Sequence, residues 1–78
     1  MKRLKKAEGV KEKDFRLGRH IQKMRQAAGL TQWQLAEKIK VSYQFIALIE
    51  TGRKVPNIHL LNKIAKALNI KVSELIPF

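Results

Sequence analysis

The stretch from Thr31 to Gly52, TQWQLAEKIKVSYQFIALIETG, constrains this chain more than any other. Thr31 reads as a helix N-cap, because its hydroxyl can accept a bond from a free backbone N–H in a helix's first turn. Leu35, Ala36 and Ile39 then fall on one helical face, at spacings of one, three and four. Lys40-Val41 breaks that period, and Ser42 is placed to cap a second helix whose apolar edge is Ile46 and Ile49. Ala36 is small enough for the second helix to cross close to the first. Two short helices with so tight a connection form a helix-turn-helix, a unit whose second helix can lie in the major groove of DNA.

The flanking sequence supplies further helices. Asp14 is a plausible N-cap for a helix over Phe15 to Ala28, with Leu17, Ile21, Met24 and Ala28 as its buried stripe and Gly29 as its stop. Gly52 ends the helix of Ser42 to Thr51, and Pro56 blocks its continuation. Asn57 caps a fourth helix over Ile58 to Leu68, whose inward residues are Ile58, Leu61, Ile64, Ala65 and Leu68. Asn69 is a credible C-cap, and a short last helix lies near Val72 to Ile76. The pattern predicts an all-α fold, a compact five-helix bundle over residues 14–78. Residues 1–13, MKRLKKAEGVKEK, hold six basic side chains and little to bury, which predicts a mobile basic arm. Such an arm either follows a DNA backbone or enters a minor groove, or is a solvated tail.

These residues resemble the phage-repressor/Cro type of helix-turn-helix domain, the XRE family, with its lambda-repressor-like fold. The likeness is carried by Ile21, Met24 and Arg25, then Gly29-Leu30-Thr31-Gln32, Leu35-Ala36, Ile46, Ile49-Glu50, Gly52 and Pro56. Ile64-Ala65, Leu68 and Leu75 extend it to the closing helices, so that it runs from Phe15 to Ile76. One position departs from the pattern: the turn residue that is usually Gly in the family is Lys40 here. If that turn keeps a positive φ, a side chain there costs on the order of 1 kcal/mol.

The resemblance implies roles for individual residues. Arg25 is expected to pair with Glu50, tying the first helix to the third; Glu50 is the only acid between Lys40 and Asn57. Gln32, at a helix N-terminus, is expected to hold a DNA phosphate. Trp33 reads either as a core aromatic or as an outer-face indole donating to a phosphate, and its neighbours Gln32 and Gln34 favour the outer face. Ser42, Tyr43 and Gln44 occupy the end of the third helix that enters the groove in this class. Gln can make two bonds to adenine, and Ser or Tyr can bond a base edge or a phosphate. Ala47, one turn on, could meet a thymine methyl, and Leu48 is a candidate apolar base contact. Phe45 reads as partial core. Arg53 and Lys54, in the following loop, read as phosphate contacts. The apolar end of the chain, Val72, Leu75, Ile76 and Phe78, is expected to form a dimer interface, the alternative being that it folds back on the domain's own core.

Charge agrees with this reading. Seventeen Lys and Arg face six acids, a net charge of +11 over 78 residues, which suits a polyanionic partner. Without cysteine there is neither a disulfide framework nor a thiolate metal site. No apolar run approaches the roughly 20 residues of a membrane span, and the basic N-terminus is not followed by the apolar core of a secretory signal. A membrane partner is therefore not expected, and cytoplasmic, nucleoid-associated residence is. His20 and His59 lack metal-binding companions and read as ordinary helix histidines. No nucleophile–base pair, phosphate-binding Gly loop or paired acids occur, so neither enzymatic activity nor a cofactor is expected. The expected function is a sequence-specific double-stranded DNA-binding transcriptional regulator, a repressor acting as a homodimer on a palindromic operator. The alternative from another class is an antitoxin or bridging coactivator whose main role is to bind a protein.

Overall fold

The computed structural model describes residues 5–78, so that Met1 to Leu4 of the expected arm lie outside it. Five helices follow in order: α1 Glu12–Ala27, α2 Gln32–Ile39, α3 Tyr43–Glu50, α4 Ile58–Ala67 and α5 Val72–Leu75. No strand occurs among the described residues, in keeping with the all-α expectation. The short helices are set by their caps. Ser42 Oγ accepts from Phe45 N at 3.2 Å and Asn57 Oδ1 from Leu60 N at 2.9 Å. Each removes one of the unpaired donors with which a helix begins.

The core is one cluster. Leu17 and Ile21 of α1 meet Leu35, Ala36 and Ile39 of α2, Ile46 and Ile49 of α3, Leu61, Ile64, Ala65 and Leu68 beside α4, and Leu75 of α5. Gly18 is what lets α1 lie so close to α3. A Cβ there would fall on the backbone carbonyl oxygens of Ile49 and Glu50, so the entropic cost of a mid-helix glycine is offset by an approach no other residue permits.

Several expectations are corrected. Helix α1 starts at Glu12 with Lys11 as a cap that makes no side-chain bond, and Asp14 lies in the first turn beside Glu12. Acids there complement the positive end of the helix dipole without capping it. The earlier start is coupled to a turn, in which Val10 N donates to Ala7 O and Gly9 takes φ 86°. Ala28 is exposed because the helix has already ended, and Gly29, at φ 75°, carries the chain away. Ile58 is 55 % exposed: it opens α4 at a turn that the core does not reach. Leu75, expected at a dimer interface, is fully buried in the domain's own core, where α5 packs on α4 and α1. Val72 and Ile76 are half-buried, and of the four expected interface residues only Phe78 is exposed. His20, read as an ordinary helix-surface or core-edge histidine, is half-buried and also ties two helices. Its Nε2 lies 2.7 Å from the carbonyl oxygen of Glu74, which can only accept, so that nitrogen carries the proton.

Candidate nucleic-acid interface

The geometry of the α2–turn–α3 unit starts at Thr31. Its Oγ1 accepts from Gln34 N at 3.1 Å while its own N–H donates to Gln34 Oε1 at 2.8 Å, a reciprocal capping box. Lys40 closes α2 at φ 60° and ψ 48°, the left-handed turn that the sequence anticipated for a position usually held by Gly. Ser42 caps α3 rather than lying inside it. Its hydroxyl oxygen is used by the cap, and its O–H proton is left to donate elsewhere.

Behind this unit lies a buried ionic network. Arg25 and Glu50 are 6 % and 1 % exposed. Arg25 Nε donates to Glu50 Oε2 at 2.6 Å and a terminal guanidinium nitrogen to Oε1 at 3.1 Å, a two-pronged pair. The other terminal nitrogen donates to the Leu30 carbonyl at 2.7 Å. Gln32 Nε2 donates to Glu50 Oε1 at 3.0 Å, a bond that nothing in the sequence pattern announced. One carboxylate therefore holds α1, the start of α2 and the end of α3 together. Among the described residues, no buried side-chain polar atom lacks a partner. That completeness matters, since a buried charge is tolerable only when it is fully bonded.

The outward surface is assembled from the beginnings of α2 and α3. Trp33 is 66 % exposed, which rules out the core reading. Its ring stacks on that of Tyr43, with centroids 4.1 Å apart and planes at 22°. Gln44 is exposed, while Ala47 and Leu48 are half-buried further along α3. Phe45 is half-buried against the core, as expected of partial core. The loop after α3 is held to it by its backbone, with Arg53 N and Lys54 N donating to Leu48 O at 2.9 and 3.2 Å. The side chains of Arg53 and Lys54 are thus exposed beside α3, and Lys54 Nζ lies 6.0 Å from the Phe45 ring centre. The structure thus brings Trp33, Ser42, Tyr43 and Gln44 together, whereas the Gln32 amide reaches Glu50 at the end of α3, after which the loop carries Arg53 and Lys54. The Trp33–Tyr43 stack and the Gln32–Glu50 bond were not legible in sequence. The N-cap at Thr31 was legible, but not the reciprocal bond that Gln34 returns to it. No metal-holding cluster of His, Cys, Asp or Glu occurs among the described residues, and none of their helices is long and apolar enough to cross a membrane.

The model of the helix-turn-helix family HTH_3 matches residues 21–75, from Ile21 in α1 to Leu75 in α5. The chain belongs to the HTH_3 helix-turn-helix family. It is 46 % identical over 56 residues to the endothelial differentiation-related factor 1 of Rattus norvegicus, covering 72 % of this chain and 38 % of that protein. With the multiprotein-bridging factor 1 of Debaryomyces hansenii it shares 43 % identity over 63 residues, 81 % of this chain and 42 % of the relative. With the immunity repressor protein of Bacillus phage phi105 it shares 40 % over 60 residues, 77 % and 42 % of the two chains. The HTH_3 chain thus spans well under half the length of these curated relatives. The crystal structure of the clp gene regulator ClgR from C. glutamicum superposes with a TM-score of 0.81 at 27 % identity, covering 90 % of each chain.

Proposed function

We propose that this HTH_3 domain is a sequence-specific double-stranded DNA-binding transcriptional regulator that reads the major groove with the start of α3. The observation that carries the reading is the exposed Gln44 on a helix whose other end is fixed by the buried Glu50. A base-reading side chain must be held in register, and rigid elements do that better than loops. In this reading Gln44 pairs with adenine, Ser42 and Tyr43 donate to base edges, and Ala47 and Leu48 offer apolar surface to a base. Gln32, Trp33, Arg53 and Lys54 hold the phosphates. Gln32 keeps one amide proton free to donate to a phosphate while its other is bonded to Glu50. The role is binding, not catalysis.

Gln44→Ala should lower operator affinity by about 1–3 kcal/mol and leave non-specific binding and its salt slope intact. Arg53→Ala or Lys54→Ala should weaken all sequences alike and reduce the slope by roughly one unit. Titrations on selected operator and scrambled duplex at several salt concentrations separate the two. Equal weakening on both duplexes for Gln44→Ala overturns the reading.

Similarity to a phage immunity repressor favours repression, and a homodimer on a palindromic operator is the form of it we propose. With Leu75 enclosed, Val72, Ile76 and Phe78 would carry the pairing, and sedimentation with and without DNA tests it. On this reading the protein works where the DNA is, in the cytoplasm of a cell with a nucleoid. A second reading, protein bridging, is favoured by the similarity to a multiprotein-bridging factor.

A further inference from the structure

Four lysines gather on a part of the molecule that the DNA reading does not use. Lys38 and Lys40 at the end of α2, with Lys63 and Lys66 of α4, line a recess of about 510 Å³ whose apolar members are Ile39 and Ala67. No acid lines it. Thr51 to Ser73 contains no Asp or Glu at all, and among the described residues the one ion pair is that of Arg25 with Glu50. The four charges therefore repel one another without a neutralising partner in the described chain. Lys38 and Lys66 have an ordinary structural role, because each sits in the last turn of its helix and complements the dipole there. Lys63 lies inside α4 and has no such role. Lys40 is the informative one: at φ 60° a side chain is strained where Gly would be relaxed, so the fold carries this cation at a cost. Unfavourable backbone retained at one point motivates a functional explanation.

We propose that this recess is a docking site for an acidic peptide segment of a partner protein, carboxylates meeting Lys38, Lys40, Lys63 and Lys66 and an apolar side chain resting on Ala67, the edge of Ile39 and the aliphatic stems of the lysines. The apolar floor decides between polyanions. It contributes nothing to a phosphodiester backbone, but it does take the side chain of an apolar residue flanked by carboxylates. The recess is also at the opposite end of α2 from Gln32 and Trp33, about 12 Å along the helix axis. Partner and duplex could then be held together. The inference stands whether or not α3 reads bases.

Lys40→Gly tests it, because the two roles of that residue predict opposite signs. Relief of the left-handed strain raises the melting temperature, while removal of the cation weakens binding of a fluorescein-labelled peptide alternating Asp-Glu pairs with Leu. Lys38→Ala with Lys66→Ala should weaken that peptide by about tenfold, the effect of two exposed ion pairs. Replacing the peptide's Leu by Ser should weaken it as well, and operator affinity should stay unchanged in both lysine variants. The proposal is overturned if the peptide does not bind, if Lys40→Gly leaves its affinity unchanged, or if operator DNA displaces it. It is equally overturned if the lysine substitutions weaken a short non-operator duplex, which would make the recess a nucleic-acid contact. Gln44→Ala, which should alter operator binding alone, separates a failure here from a failure of the DNA reading.

Discussion

Glu50 accepts from three side-chain donors on two other segments of the chain, Arg25 through two nitrogens and Gln32 through one. Removing Arg25 leaves a carboxylate sealed from water with only an amide to compensate it, and removing Glu50 strands a guanidinium. We expect Arg25→Ala and Glu50→Ala each to destabilise the domain by roughly 3–5 kcal/mol, with the double variant costing less than the sum. Gln32→Ala removes one hydrogen bond to a charged group and should cost about 1.5–3 kcal/mol at most, less if water replaces the amide. Urea unfolding of the single and double variants measures the coupling. Additive small effects would show the pair to be energetically idle. Gln32 then connects stability to recognition, since the amide that steadies Glu50 belongs to the residue proposed to hold a phosphate.

At the level of elements, α5 is four residues long and cannot persist on helix propensity alone. Leu75 anchors it in the core and the His20 ring pins its last turn at the Glu74 carbonyl. Leu75→Ala should cost about 2–5 kcal/mol, as for other fully buried Leu side chains. It should also free the amides of residues 72–78 to exchange with solvent, which hydrogen-exchange mass spectrometry would detect. Full protection of that segment in the variant would mean that α5 has another anchor. The same element marks the limit of sequence reading. Helices α2, α3 and α4 were legible because Thr31, Ser42 and Asn57 place a cap oxygen ahead of an apolar stripe. Helix α1 was misplaced at its start because Lys11 caps with backbone alone. An apolar end such as that of α5 has the same pattern whether it covers its own core or a second copy, and only the tertiary arrangement distinguishes them. Arg25–Glu50 was legible through family resemblance, whereas Gln32–Glu50 and Trp33–Tyr43 join residues whose spacing announces nothing.

For the whole molecule the question is how a charge of +11 is deployed around one small core. The N-terminal region enters this directly. Val10 packs where a Cβ on Gly52 would stand, 2.8 Å away, and Lys6 Nζ reaches the Val10 carbonyl at 2.8 Å. Residues from Ala7 onward are thereby fastened beside the loop that carries Arg53 and Lys54. We propose that the basic segment before them follows the DNA backbone from that anchor. Two truncations separate the anchor from the charges. Deleting residues 1–6 removes Lys2, Arg3, Lys5 and Lys6 and keeps Val10. It loses only the exposed Lys6–Val10 bond from the anchor, so it should lower the melting temperature at most slightly, and it should reduce the slope of log affinity against log salt by about 0.9 for each phosphate no longer neutralised. Deleting residues 1–10 removes the packing of Val10 as well and should also lower the melting temperature. If the shorter deletion leaves the salt slope intact, those four cations do not touch DNA, and the segment is solvated. If the longer deletion costs no stability beyond the shorter, Val10 holds nothing in place, and the arm has no fixed point of departure.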